Sequence, residues 1–297
     1  MKDLGICILT LKSKERVLAC LASLFEETRD LDIDVIVVDN HSQDGTVEAI
    51  HAQFPAVRLI VNDTNLGYSK AVNQGLRQLE ARYYVLLNPD TIVLDSAFNH
   101  LIQFMDENPE AGICSPRVLN QDGSVQYQAR RGEARPWDVF SYFSGLSKLF
   151  PDNPRFSGYL LTHIDNNKVS EVKAVSGSCM MIRKEVIDQI GYLDERYFAY
   201  QEDTDYCFHA RQVGWKVYYV PYAEVIHYGG QGGSNINPYF SSYHWHRSYF
   251  LYYQKYLARD YPFWFHPIYY FAMVVKFLSA MIGLIFGKEK VVGTRKP

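Results

Sequence analysis

Asp34-Val35-Ile36-Val37-Val38-Asp39-Asn40-His41-Ser42-Gln43-Asp44-Gly45-Thr46 is the stretch that decides the fold. Residues 34–38 form an apolar run of strand length, the run ends on an acid and an amide, and Ser42 or Asp44 is placed to cap a following helix. The same grammar surrounds it. Residues 5–11, 57–61 and 83–87 are further apolar runs, and the segments between them carry helical spacing. Strand and helix in strict alternation predict parallel pairing, with helices on both faces of an α/β sheet. Each run closes on polar residues: Thr10, Asp39-Asn40, Asn62-Asp63 and Asn88-Pro89-Asp90. Open α/β sheets bind ligands beyond the carboxyl ends of their strands, so these clusters mark one end of the sheet as the expected site.

The bulk numbers agree with an enzyme-sized globular chain. Its 297 residues are 47% hydrophobic, enough to bury a substantial core. A net charge of −3 over 30 basic and 33 acidic residues gives none of the basic excess that a nucleic-acid partner requires. Cys7, Cys20, Cys114, Cys179 and Cys207 are odd in number and never spaced C-x-x-C, which points to reduced thiols rather than disulfides or zinc. The apolar run near the N-terminus is too short for a signal-peptide core and reads as the first strand.

From residue 112 to 172 the pattern loosens. Gln121-Asp122-Gly123 is an expected hairpin turn, and the aromatic, turn-rich stretch at about 125–170 reads as an insertion beside the cleft. Strands are expected at 172–182 and 216–220, and helices at 184–190 and 204–213. This gives a catalytic domain over 1–238 and a C-terminal part over 239–297. In the latter, residues 239–256 hold six tyrosines with His244, His246, Arg247 and Lys255, and residues 262–286 are almost wholly apolar around Lys276. A lysine at the centre of a spanning helix costs roughly 2.5–3.5 kcal/mol. The segment therefore reads as lying in a membrane interface, helped by the trailing Lys288, Lys290, Arg295 and Lys296; a buried C-terminal helix is the alternative.

The remaining motifs carry chemistry. Asp39 can accept from base N–H groups or ribose hydroxyls. In Asn65-Leu66-Gly67-Tyr68-Ser69-Lys70-Ala71-Val72-Asn73-Gln74-Gly75, Gly67 opens a helix whose N-terminus suits an anion; a structural cap is the other reading. Asp90, in Leu86-Leu87-Asn88-Pro89-Asp90-Thr91, is placed to hold a hard cation against a diphosphate, although Asn-Pro-Asp is also a common turn. Tyr200-Gln201-Glu202-Asp203-Thr204-Asp205 crowds three acids at a helix start, as a helix cap or as a setting for a base. His227 follows a strand and precedes Gly229-Gly230.

Taken in order, V-V-D-N-x-S-x-D-G-T, N-x-G-x-x-x-A-x-N-x-G, L-x-N-P-D, V-S-G-S-x-M-x-I-R, F-x-Y-x-E-D-T-D-Y-C and I-H-Y make the chain resemble the GT-A-fold inverting glycosyltransferases of family 2 over residues 4–256. It is most similar to bacterial rhamnosyltransferases of surface polysaccharide assembly. The resemblance implies a Rossmann-like nucleotide-diphospho-sugar fold with a mostly parallel sheet. It implies that Asp39 reads the base, that Thr10, Asn65, Gly67, Lys70 and Asn88 serve the donor, and that Gly177 and Ser178 line the sugar pocket. Asp203 would be the base, with Glu202 on the acceptor side, and Asp90 and His227 would hold Mg2+ or Mn2+. Arg247 and Lys255 match positions suited to diphosphate or lipid phosphate. Asn88 stands where the family often has the first acid of D-x-D.

The implied partners are a nucleotide-diphosphate sugar, with dTDP-L-rhamnose as the expected donor, a polyprenyl-diphosphate-linked glycan acceptor and the inner face of the cell membrane. A homodimer is compatible with this reading and nucleic acid is not. Two rival classes stay open at this point. A nucleotidyltransferase would need a glycine-rich basic loop after the first strand, where Thr10-Leu11-Lys12-Ser13-Lys14 lacks glycine. A non-catalytic binding subunit would not need Asp203 together with His227.

Overall fold

The computed structural model describes residues 1–229 and 237–287. Gly230 and the trailing Lys288, Lys290, Arg295 and Lys296 lie outside the described residues. In chain order the elements are β1 (Lys2–Thr10), α1 (Lys14–Glu27), β2 (Ile33–Asp39), α2 (Thr46–Gln53), β3 (Arg58–Val61), α3 (Tyr68–Leu76) and β4 (Ala81–Leu87). Next come β5 (Thr91–Val93), α4 (Ala97–Glu107), β6 (Ala111–Leu119), β7 (Arg130–Arg131), α5 (Pro136–Phe143), α6 (Leu146–Leu149) and α7 (Pro154–Ser157). They are followed by β8 (Ser170–Glu171), β9 (Ala174–Val175), β10 (Cys179–Arg183), α8 (Lys184–Ile190), α9 (Glu202–Gln212), β11 (Lys216–His227), α10 (Pro238–Tyr252) and α11 (Phe265–Ile285).

Alternation along the strands explains the layering. Ile6 and Ile8 of β1, Val35 and Val37 of β2, and Val85 and Leu87 of β4 pack beneath α1 and α4. Cys7, Ile36, Val38 and Leu86 point to the opposite face, beneath α3, α8 and α9. All five cysteines are free and buried, and burial pushes Cys7, Cys20 and Cys207 up to about 12.

The main sheet runs β3-β2-β1-β4-β10-β6-β11-β5, with β8 beside β11. It is parallel through β3, β2, β1 and β4, as the alternation predicts. Beyond β4 the sheet is again parallel between β6 and β11, so it is mostly parallel as expected, with β10 antiparallel to both β4 and β6 and the short β5 and β8 antiparallel to β11. The strand expected at 172–182 is broken in two, because Ser176, Gly177 and Ser178 leave the ladder to line a cleft. The strand expected at 216–220 continues to His227, which the longer ladder with β6 and β5 carries to that cleft. The hairpin turn at 121–123 forms as expected, closed by Asn120 N–H donating to Ser124 O at 2.8 Å.

A third core, apart from the sheet, joins Tyr159 and Leu160 of the insertion to Trp245, Tyr249, Tyr252, Tyr253 and Tyr256. α11 packs on it through one stripe, with Tyr269 stacked on Tyr253 at 3.8 Å and Phe277 against His246 at 5.2 Å. The rest of α11 is exposed, Phe271 at 72% and Ile285 at 67%, so the alternative of a buried C-terminal helix does not hold. Its 21 residues are long and apolar enough to cross a membrane.

Candidate active site

The ends of β1, β2 and β3 are tied into one polar floor. Asn40 N–H donates to Thr10 O at 2.9 Å, and the Asn40 amide donates to Asn65 Oδ1 at 2.8 Å. Leu66 N–H donates back to Asn40 Oδ1 at 3.0 Å. Gly67 sits at φ +82°, and a Cβ there would lie 2.6 Å from Phe198 O, so only glycine lets α3 start this close to the 197–201 loop. Tyr68 N–H donates to Phe198 O at 2.5 Å across the same contact. Asp39 is buried; its Oδ1 accepts from Ser42 N–H at 3.0 Å, while Oδ2 has no hydrogen-bond partner among the described residues. An unmet buried acceptor is costly unless a ligand's donor reaches it.

Asn40, Asn65, Gly67, Tyr68 and Phe198 border a cleft of 430 Å³ that reaches past Asn88, Asp90 and His227 to Gly177, Ser178, Glu202 and Asp203, while Asp39 lies behind Asn40 and is not among the lining residues. Asp90 Oδ1 lies 3.2 Å from His227 Nε2, and the Asn88 amide lies 3.1 Å from the same nitrogen. On the far side of the ring, Nδ1 is 2.8 Å from Gln126 Oε1, an atom that only accepts. That contact makes Nδ1 the donor, and the other ring nitrogen, Nε2, which faces Asp90, is the one through which the ring would hold a metal. No cluster of three or more His, Cys, Asp or Glu side chains suited to a metal occurs among the described residues. A carboxylate and an imidazole with the remaining positions left to substrate phosphate and water nevertheless suit Mg2+ or Mn2+.

The three acids at the start of α9 meet three fates. Asp205 is clamped by Lys255 Nζ at 2.8 Å and by the Tyr197 hydroxyl at 2.9 Å. Asp203 Oδ2 accepts from the Arg131 guanidinium at 2.5 Å and from Gly177 N–H at 3.2 Å. Against the desolvation of burial, the Asp203 carboxylate and the nearby Tyr159 and Tyr249 hold Arg131 firmly cationic. Glu202 Oε2 is buried and partnerless among the described residues, and burial, then the adjacent Asp203, push its pKa up to about 8. Tyr200 and Gln201, at φ 68° and 64°, form a left-handed pair that turns the chain sharply into this helix.

Not every expected residue reaches the cleft. Thr10 is fully buried and spends its hydroxyl on Ser13, and Lys70 points to solvent from α3. Arg247 donates to Arg196 O at 2.7 Å, and Lys255 lies between Asp194 and Asp205, each 2.8 Å away. Against desolvation, hydrogen bonds from Arg196 and Lys255 hold Asp194 well below the usual carboxylate range, the mark of a structural clamp. Conversely, sequence reasoning missed Gln126 and Arg131, both cleft residues from the irregular segment. The two consecutive arginines there, Arg130-Arg131, were the available signal.

Comparison with known proteins agrees with this geometry. The profile described as Glycosyl transferase family 2 matches residues 5–191. The N-acetylglucosaminyl-diphospho-decaprenol L-rhamnosyltransferase of Mycobacterium tuberculosis is 32% identical over 230 residues, which cover 72% of this chain and 71% of that one. The dTDP-rhamnosyl transferase RfbF of Shigella flexneri is 26% identical over 213 residues, covering 70% of this chain and 64% of that one. Among solved structures, the mannosyltransferase PcManGT from Pyrobaculum calidifontis in complex with GDP-Man and Mn2+ superposes with a TM-score of 0.52 at 16% identity. That match covers 76% of this chain and 56% of the other, and it establishes the GT-A fold. With the family profile spanning most of the sheet and its strand-end cleft, the chain belongs to glycosyltransferase family 2.

Proposed function

We propose that the chain transfers L-rhamnose from a thymidine-diphosphate donor, with inversion, to a polyprenyl-diphosphate-linked glycan at the inner face of the cell membrane. The observation that carries the reading is that Asp203, ion-paired to Arg131, shares one cleft with the Asp90–His227 pair. The similarity to the mycobacterial N-acetylglucosaminyl-diphospho-decaprenol L-rhamnosyltransferase and the Shigella dTDP-rhamnosyl transferase supports the sugar, the nucleotide and the lipid-linked acceptor.

In this reading Asp39 accepts from the base, and the polar floor of Asn65 and Gly67 holds the nucleotide. Mg2+ or Mn2+ at Asp90 and His227 would offset the charge of the diphosphate leaving group. Gly177 and Ser178 border the sugar, and the Ser178 hydroxyl, buried and partnerless among the described residues, is available to it. Asp203 accepts the proton of the acceptor hydroxyl as the new C–O bond forms and the bond to phosphate breaks on the opposite face of the anomeric carbon. Glu202, neutral through most of the physiological range, adds no second negative charge and offers a donor on the acceptor side. The exposed apolar face of α11 supports membrane contact.

The test is transfer by the full chain from dTDP-L-rhamnose to N-acetylglucosaminyl-diphospho-polyprenol with Mn2+, and the anomeric configuration of the product. Asp203→Asn should lower turnover by about 10²–10⁴-fold with an unchanged melting curve. Turnover within tenfold of the parent removes Asp203 from the base role. Calorimetric binding to a uridine-diphosphate hexose and none to the thymidine donor refutes the donor assignment.

A further inference from the structure

Lys276 sits in the middle of the apolar helix α11, where a charge is a liability in any lipid setting. The structure turns it inward. Lys276 and Ala280 line the same cleft as Asp203 and Asp90, while Val275, Leu278 and Ile282 on the same helix are exposed. The Lys276 ammonium lies over two aromatic faces, 3.7 Å from the Trp245 ring centroid and 4.1 Å from that of Phe143, and 3.4 Å from His246 Nε2. Ring faces attract and orient a cation. His246 adds no second charge: burial first, then Lys276, bring its pKa down to about 4, so at neutral pH the ring is uncharged.

A cation thus stands where the catalytic cleft meets the exposed apolar helix, on the aromatic side built by α5 and α10 and apart from the strand-end floor. A molecule with a sugar at one end, a diphosphate in the middle and a long hydrocarbon at the other has that order of chemistry. We infer that Lys276 binds the diphosphate of a polyprenyl-diphosphate acceptor and that the isoprenoid chain leaves along the outer face of α11. The inference rests on the lipid-linked acceptor reading above and adds the residue that recognises it.

The direct test uses geranylgeranyl diphosphate and geranylgeraniol as probes, titrated in detergent micelles against the full chain and its Lys276→Met, Lys276→Gln and Lys276→Arg variants. The parent should prefer the diphosphate by tenfold or more. Met and Gln should erase that preference, and Arg should retain most of it. In transfer assays, Lys276→Gln should raise KM for the lipid-linked acceptor about tenfold, leaving the Kd for the donor nucleotide and the KM for a soluble N-acetylglucosaminide without diphosphate within twofold. Equal diphosphate preference in parent and Gln variant overturns the inference even where lipid-linked transfer proceeds. An equal loss of donor affinity also overturns it, by moving the cation to the nucleotide side. A Lys276-dependent preference in a protein that transfers to no lipid-linked acceptor upholds the diphosphate site and removes the acceptor reading instead. Gln and Arg, both polar, keep the comparison open should the Met variant fail to fold.

Discussion

The parallel half of the sheet and the aromatic half formed by the insertion, α10 and α11 are held together by different means. Between β3, β2, β1 and β4, continuous backbone ladders set the geometry, and aliphatic side chains fill both faces. Side chains at the strand ends are therefore free to meet a ligand. In the aromatic half the ladder among the described residues is short, β7 with β9 over two residue pairs. The position of this half is fixed by ring packing and by polar ties such as the Tyr159–Tyr249 hydroxyl pair and the bridge from Lys255 to Asp194 and Asp205. In such a region a conspicuous charge is first a candidate for structure, and its partners must be known before it is given to a substrate.

The sharpest way to break this contrast is Lys255→Met. If Lys255 is a clamp, its loss leaves Asp205 buried without a counter-charge and should cost about 3 kcal/mol in urea unfolding. A variant of unchanged stability with a selectively raised acceptor KM would return Lys255 to the acceptor. On the sheet side, Gln126→Ala should leave stability within about 0.5 kcal/mol. It should nevertheless raise the Mn2+ concentration for half-maximal activity by about tenfold, because the His227 tautomer is no longer fixed. An unchanged metal titration would show that Gln126 does not orient the imidazole.

The smallest effect concerns Glu202. Its folded-state pKa is raised to about 8 by burial and Asp203, so the stability it contributes is full below the unfolded pKa and is lost as pH rises through 8. Glu202→Gln should therefore melt roughly 2–4 °C above the parent at pH 9, with the gap closing as pH falls toward 5. A pH-independent difference would show that Glu202 does not titrate in that window.

Legibility in the sequence follows the same division. The first four strands and their polar ends were readable because each apolar run and its closing residues are contiguous. The antiparallel insertion of β10 between β4 and β6 was not, since that order depends on pairings across some 70 to 100 residues. Asp90, His227, Asp203, Gly177 and Ser178 were legible as motif residues, and the fold brings them to one cleft. The partners that engage Lys255 and Arg247, namely Asp194, Asp205 and Arg196, were not legible because they lie about 50 to 60 residues away. Gln126 and Arg131 sit in the irregular stretch, where periodicity carries no information. Lys276 was visible, but only as a cost; its direction depends on Trp245 and Phe143.

The burial of every cysteine has a practical consequence. A thiol with no solvent access and a pKa near 12 presents almost no thiolate to an alkylating reagent at neutral pH. The folded chain is in this sense a blank for maleimide chemistry, and Leu278→Cys or Phe271→Cys on the exposed side of α11 would give a single labelling position without first stripping the native thiols. An environment-sensitive dye there could follow the helix into lipid vesicles in real time, on an otherwise unaltered protein.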